Sequence, residues 1–143
     1  MTPHDDTKQA IVWQWVHKAQ TDITLAEHLV AETESFWSPI AFHSQQAAEK
    51  YLKALLVWND IGFPKTHDLG KLLKLMEDFN SELAAELHEA AFLTPYGVEV
   101  RYPADRPEAS PEDARNALAL ARKVRDSVMD LIPSEADTEN EDE

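Results

Sequence analysis

The fold is decided by a long helix-favouring stretch, which reads Pro39-Ile40-Ala41-Phe42-His43-Ser44-Gln45-Gln46-Ala47-Ala48-Glu49-Lys50-Tyr51-Leu52-Lys53-Ala54-Leu55-Leu56-Val57-Trp58. After its first residue the stretch contains no glycine and no proline. Ser38 directly before Pro39 is a typical helix start, because serine caps free backbone N–H groups and proline suits the first turn. We therefore predict one helix from Ser38-Pro39 to about Trp58.

The apolar residues of this stretch recur at the spacing of one helical face. Ser44 and Gln45 interrupt the series where an apolar residue is expected, and Gln45 is either a satisfied core amide or a residue that crosses a dimer interface. Glu49 and Lys53 stand four residues apart, in the order that favours an ion pair along a helix. The predicted core-facing residues are Ala41, Ala48, Leu52 and Leu55.

Similar spacing on both sides of this stretch predicts four more helices. One runs from about Thr7 to Ala31, a short one follows Thr66, one begins at Ser81, and the last begins at Ser110-Pro111. Their predicted core-facing residues are Val12, Trp15, Ala19, Ile23, Ala26 and Val30; Leu69, Leu72, Leu73 and Met76; Leu83, Leu87 and Ala90 or Ala91; and Ala114, Ala117, Leu118, Ala121, Val124, Val128 and Leu131.

The sequence thus predicts an all-α protein, an antiparallel up-and-down bundle of four long helices plus one short helix. Three glycines in 143 residues fit such a bundle, and the lack of cysteine excludes disulfide scaffolds and thiolate sites. We expect residues 1–133 to form the bundle. Residues 134–143 carry six acidic side chains and one apolar residue, so we expect them to form a disordered acidic tail.

The net charge of −14 argues against nonspecific binding to duplex DNA, because the whole molecule repels phosphate. The acidic start of the chain does not resemble a signal peptide, and no apolar run is long enough to span a membrane. We therefore expect a soluble, cytoplasmic protein without a membrane partner.

The metal and nucleophile motifs common in proteins of this class are missing. None of the six histidines has a carboxylate three residues before it, and no two histidines are four apart. Serines and histidines occur without a recognisable triad context. The sequence therefore predicts no metal site, no cofactor and no catalytic residue.

The basic residues give the best indication of a binding site. Lys50, Lys53 and Lys65 lie in the second predicted helix and just after it, close in sequence to His67. A long connection from Thr94 to Ala109 carries Arg101 and Tyr102. If that connection folds back, these residues form a positive pocket suited to a phosphate, a nucleotide or an RNA backbone.

Purely structural roles compete with that hypothesis. The lysines can extend along the surface and pair with nearby acids. Arg101 can pair with Asp22 or Glu49, and His67 can stabilise the start of the next helix.

Four pieces of sequence resemble one known family. The stretch from Phe42 to Leu55 is similar to the signature helix of the prokaryotic HEPN domain. The other matches, in the same order and spacing, are Trp15-x3-Ala19-x2-Asp22-Ile23-x2-Ala26, then Lys65-Thr66-His67-Asp68-Leu69, then Leu93-Thr94-x-Tyr96 followed by Arg101-Tyr102-Pro103.

The resemblance implies a helical bundle that is commonly a homodimer. Such domains are often encoded beside a small nucleotidyltransferase as a toxin–antitoxin-like pair, and some are RNases. The RNases of this family use an arginine followed by four to six residues and a histidine. Here the first arginine is Arg101 and the last histidine is His88, so that motif is absent.

We therefore expect a non-catalytic HEPN binding module that acts as a dimer with a partner protein, a small nucleotidyltransferase, and contacts a nucleotide or RNA near Arg101. The alternative is an RNase toxin with a divergent active site, such as His67 with Arg101. A sensor of small nucleotides is a third hypothesis, based on the lysines around the end of the second helix.

Overall fold

The computed structural model describes residues 3–32, 36–97 and 108–135. Its elements are α1 (Pro3–Glu32), α2 (Trp37–Trp58), α3 (Leu69–Glu77), α4 (Ser81–Glu86), a 3₁₀ helix (His88–Gly97) and α5 (Pro111–Met129). No strand occurs within these ranges. The predicted all-α class is confirmed.

The number of long helices differs from the prediction. In the described ranges three helices are long, with 30, 22 and 19 residues, whereas α3 has nine and α4 has six. The predicted fourth long helix ends at Glu86, and His88 Nδ1 lies 2.8 Å from the carbonyl of Ala85 in its last turn. Beyond that point the chain continues as a 3₁₀ helix that contains Pro95. Leu83, Leu87 and Ala90 are buried as predicted.

Successive segments of the bundle run in opposite directions if α3, α4 and the 3₁₀ helix are counted as one segment. The N–H of Ala109, just before α5, donates to Ser38 Oγ at the start of α2 over 2.9 Å. The guanidinium of Arg115 lies 5.1 Å from the ring centre of Trp37, again near both helix starts. Helices α2 and α5 therefore run in the same direction, and α3, α4 and the 3₁₀ helix provide the return between them.

Helix α2 is central and packs most extensively against α1 and α5. The residues predicted to face the core, Ala41, Ala48, Leu52 and Leu55, are all buried, and burial extends beyond that one face. The buried residues of α2 include the unbroken run from Tyr51 to Leu56, because neighbours cover it on several sides. The core-facing residues predicted for α3 are all buried, and so are those for α5 except Leu131, which lies beyond the end of that helix and is exposed.

The helix starts agree only in part with the sequence. Ser110 and Asp113 form the predicted capping arrangement of α5, in which each side chain accepts the backbone N–H of the other. Asn80 rather than Ser81 caps α4. Ser38 does not cap α2, which begins at Trp37, and its hydroxyl instead accepts the N–H of Ala109.

The segment after α5 is attached to α1. The indole N–H of Trp13 donates to the carbonyl of Pro133 over 3.1 Å, and His17 Nε2 lies 2.9 Å from a carboxylate oxygen of Glu135. The chain thus contacts the bundle two residues beyond the predicted boundary at residue 133. The rest of the predicted tail, residues 136–143, lies outside the described residues. Among the described helices, none is long and apolar enough to cross a membrane.

Candidate anion-binding cleft

A cleft of about 370 Å³ opens between α1, α2 and the connection of residues 59–68. Helix α1 contributes one aromatic side chain, α2 contributes four polar or charged side chains, and the connection contributes three residues. The lining residues are Trp15, Gln46, Glu49, Lys50, Lys53, Lys65, Thr66 and His67.

Glu49 is a buried carboxylate at the base of this cleft, with a side chain only 3% exposed. Its Oε1 lies 2.8 Å from Nδ1 of His67 and accepts from the amide of Gln45 over 3.2 Å. Its Oε2 accepts from the ammonium of Lys53, also at 3.2 Å. Because a carboxylate oxygen accepts hydrogen bonds, the proton of this contact is assigned to Nδ1 of His67.

The imidazole of His67 points to solvent from this anchor. Its side chain is 69% exposed, whereas its partner Glu49 is buried. With Nδ1 committed to the carboxylate, Nε2 is the ring atom left for a ligand or for solvent. A neutral ring accepts a hydrogen bond at Nε2, and a protonated ring donates one.

Asp22 forms a second network of the same kind beside the cleft. Its Oδ1 lies 2.9 Å from Nδ1 of His43, and its Oδ2 accepts from the ammonium of Lys50 over 2.5 Å. Both contacts join α1 to α2. Lys50 thus lines the cleft while it is paired with a carboxylate on the neighbouring helix.

Trp15 forms an aromatic wall of the cleft and is half-buried. The ammonium of Lys53 lies 5.3 Å from its ring centre, and the ring of Phe63 meets it edge-on at 6.3 Å. These contacts fix the indole against both α2 and the connection. The indole of Trp15 is therefore positioned to contact a bound ligand without rearrangement of the core.

The structure brings three of the five predicted site residues together. Lys50, Lys53 and His67 line one cleft, together with Lys65. The remaining two, Arg101 and Tyr102, lie outside the described residues, and so does most of the long connection that carries them.

The structural role considered for the two lysines is also present, whereas the one considered for His67 is not. Lys50 and Lys53 do pair with acids, namely Asp22 and Glu49. His67 does not cap α3, because the side chain of Asp68 accepts the N–H groups of Gly70 and Lys71.

Gln45 is a satisfied core amide within the protomer. It is fully buried, its amide nitrogen donates to Glu49 and to the carbonyl of His67, and its oxygen accepts from Gln46. Gly97 is packed directly against this amide, so that a methyl group at residue 97 would overlap it. Gln45, which interrupts the predicted apolar series, therefore anchors two residues of the cleft, Glu49 and His67.

Sequence reasoning missed the importance of Asp22, His43 and Glu49. Glu49 was assigned an ion pair with Lys53, which is present and buried, or a pairing with Arg101, which lies outside the described residues. The missing contacts join residues 18 to 28 positions apart, which helical spacing does not reveal. Their polar character at buried helix positions was the available signal, since buried charges in proteins are paired.

The charges around the cleft largely balance. Lys50, Lys53 and Lys65 face the two carboxylates of Asp22 and Glu49, which leaves one positive charge when both histidines are neutral. Lys65 is exposed and makes no ion pair with any described residue. No group of three or more potential metal ligands occurs among the described residues.

Comparison with known proteins identifies the family. The model of the HEPN domain matches residues 12–131, so the chain belongs to the HEPN domain family. Its fold is similar to the crystal structure of an archaeal HEPN homologue, with a TM-score of 0.65 and 23% sequence identity. That alignment covers 85% of this chain and 98% of the archaeal chain. No curated protein sequence matches the chain.

Proposed function

We propose that this HEPN domain is a binding module that holds the phosphate of a nucleotide or of single-stranded RNA in the cleft of α1 and α2. The observation that carries the proposal is the convergence of Lys50, Lys53, Lys65 and His67 on one concave surface. The chain has a net charge of −14, so a cluster of basic side chains contrasts with the acidic character of the rest of the protein. A phosphate there meets ammonium groups and an imidazole at short range, where screening by salt is weakest.

Lys65 is the side chain most directly available to an anion. It is exposed at the rim of the cleft, whereas Lys50 and Lys53 are held by carboxylates. The paired lysines still contribute donors, because each ammonium has three N–H groups and their carboxylates occupy only some of them. The exposed Nε2 of His67 completes the set of donors when the ring is protonated.

We further propose that the domain acts as a homodimer together with a partner protein of the small nucleotidyltransferase class, as in toxin–antitoxin-like pairs. Membership of the HEPN family supports this part of the proposal. Co-expression with the product of the adjacent gene, followed by affinity purification and light scattering, tests it. We expect a stable complex that contains two HEPN chains. A HEPN chain that stays monomeric and does not co-purify with this product would contradict the proposal.

Ligand binding is tested by fluorescence anisotropy with labelled oligouridylate and by calorimetry with nucleoside phosphates. We expect Lys65→Ala to weaken binding by about tenfold, because one phosphate contact is lost. The matched control is Lys71→Ala, since Lys71 lines a different surface formed with Pro64 and Lys74. Equal affinity of both variants and the parent protein would contradict the assignment of the cleft.

The geometry of His67 favours one alternative function, an RNase with a divergent active site that lacks the Arg-x4–6-His motif. A buried carboxylate that orients an exposed imidazole is the arrangement used for general base catalysis. In that reaction Nε2 takes the proton of the 2′-OH, whose oxygen attacks phosphorus. The 5′-oxygen leaves with a proton from a lysine of the cleft.

The RNase alternative predicts fragments that end in 2′,3′-cyclic phosphate. It also predicts that His67→Ala abolishes cleavage but weakens RNA binding no more than Lys65→Ala does. Intact RNA over a broad panel of sequences would remove the alternative and leave the binding module.

A further inference from the structure

Two matching networks flank the cleft, and each shares one carboxylate between a lysine and a histidine. In the first, Asp22 contacts Lys50 through one oxygen and His43 through the other. In the second, Glu49 contacts Lys53 through one oxygen and His67 through the other. The two lysines are three residues apart on α2, and both line the cleft.

We infer that anion binding in this cleft is coupled to protonation of His43 and His67, so that each histidine controls how much of its lysine's charge is available to a ligand. The inference rests on the proposed function and adds a regulatory property to the same site. It predicts a cleft that binds phosphate weakly when the histidines are neutral and strongly when they are protonated.

The physical reason is competition for a single carboxylate. When the imidazole is neutral, the carboxylate compensates the lysine alone, and the network of three groups carries no net charge. When the imidazole is protonated, the same carboxylate faces two cations and the network carries one positive charge. The cleft with both networks then changes from one positive charge to three, with Lys65 included.

Several elements place charged groups around the ring of His67. His67 faces Glu49, Lys50 and Lys53 from α2 and Lys65 from its own connection. The adjoining carboxylate of Asp68 is turned to the first N–H groups of α3. Helix α1 presents the uncharged ring of Trp15, with Lys18 on that ring.

The surroundings of His43 are simpler. Its ring meets Asp22 of α1, its own-helix neighbour Phe42, and through Asp22 the ammonium of Lys50. The His43 side chain is 25% exposed, so protons can reach it without opening of the core.

The experiment measures affinity for a short oligothymidylate and for sulfate at about pH 8 and about pH 5.5, the interval in which histidines commonly titrate. Neither probe changes its own charge in this interval, and oligothymidylate lacks the 2′-OH needed for cleavage. We expect affinity to rise on acidification by about tenfold for each histidine, a coupling of ordinary size between sites. His43→Asn and His67→Asn should each remove about one such factor.

The double variant, with His43→Asn and His67→Asn combined, measures the pH dependence of binding that comes from the other titratable groups of the acidic surface. The matched control is His88→Asn, because His88 is exposed, does not line the cleft, and has its Nδ1 2.8 Å from the carbonyl of Ala85. This variant should keep the full rise. Binding that is equal at both pH values in the parent protein would overturn the inference and leave the proposed function standing. No binding at either pH would overturn both.

Discussion

The exposed ring of His67 is held through Nδ1 by the buried carboxylate of Glu49, at a distance of 2.8 Å. This contact joins a solvent-facing group in the connection of residues 59–68 to the centre of α2. The same carboxylate binds Lys53 and Gln45, so the wall of the cleft and the core share one polar anchor. Ligand binding and stability should therefore respond together to changes at residue 49.

Replacement of Glu49 by glutamine should destabilise the protein by about 3–5 kcal/mol, because the buried ammonium of Lys53 loses its counterion. Urea denaturation followed by circular dichroism measures the loss. The matched control is Glu27→Gln, in which the more exposed pair with Arg122 should cost less than about 1 kcal/mol. Equal losses in the two variants would show that Glu49 is not a buried anchor.

Replacement of Gly97 by alanine should destabilise the protein by about 1–3 kcal/mol, because the new methyl group overlaps the buried amide of Gln45. Gly62→Ala is the control, since a methyl group there meets nothing within 4 Å. Gly62→Ala should be neutral or stabilising by up to about 1 kcal/mol, through the reduced freedom of the unfolded chain. Thermal unfolding compares the two, and a stable Gly97→Ala variant would contradict the packing of Gln45.

Tyr51 should make stability depend on pH in the alkaline range. Burial raises the pKa of its phenol to about 12, and the nearby charge of Arg125 opposes this only in part. The unfolded chain ionises this group near its ordinary pKa of about 10, so the native state binds the proton more tightly. The resulting stability is present below pH 10 and is lost as the pH rises towards 12.

The variant Tyr51→Phe should show a smaller loss of stability over this interval, because no phenol is left to ionise. Denaturation curves at a series of pH values measure the difference. The two proteins should run parallel below pH 9 and diverge above it. Parallel curves up to pH 12 would show that the phenol ionises normally in the native state.

Binding of single-stranded nucleic acid should weaken with salt in proportion to the number of phosphate contacts. The logarithm of affinity falls by about 0.7 for each contact per tenfold rise in salt. Lys65→Ala should therefore lower this slope by about 0.7, whereas Lys71→Ala should leave it unchanged. Anisotropy titrations at several salt concentrations give both slopes, and an unchanged slope for Lys65→Ala would exclude a phosphate contact at that residue.

Local signals predicted much of the fold. The start of α5 at Ser110 and the buried face of α3 follow from capping chemistry and helical spacing, which depend on neighbours in sequence. The length of α4 and the role of Ser38 do not follow from such local signals. Ser38 bonds to Ala109, which lies 71 positions away, and such a contact leaves no periodic trace in the sequence.

The cationic residues of the candidate site could be predicted from the sequence, but its carboxylates could not. Lys50, Lys53 and His67 stood out because their charge contrasts with an acidic chain. The carboxylates of Asp22 and Glu49 were two of 27 acidic residues, and only burial distinguishes them from the others. The networks that join the two sets cross from α1 to α2 and from α2 to the connection, and so need the tertiary fold to be recognised.

The most direct test of the cleft uses the four indole N–H signals in the nitrogen–proton NMR spectrum. Trp15 lines the cleft, whereas Trp13 bonds to Pro133, Trp37 lies by Arg115, and Trp58 lies by Lys8. Titration with oligothymidylate at about pH 5.5 should shift the Trp15 signal most, together with the backbone signals of residues 65–67. A shift confined to Trp37, or no shift of Trp15 at saturation, would contradict binding in this cleft.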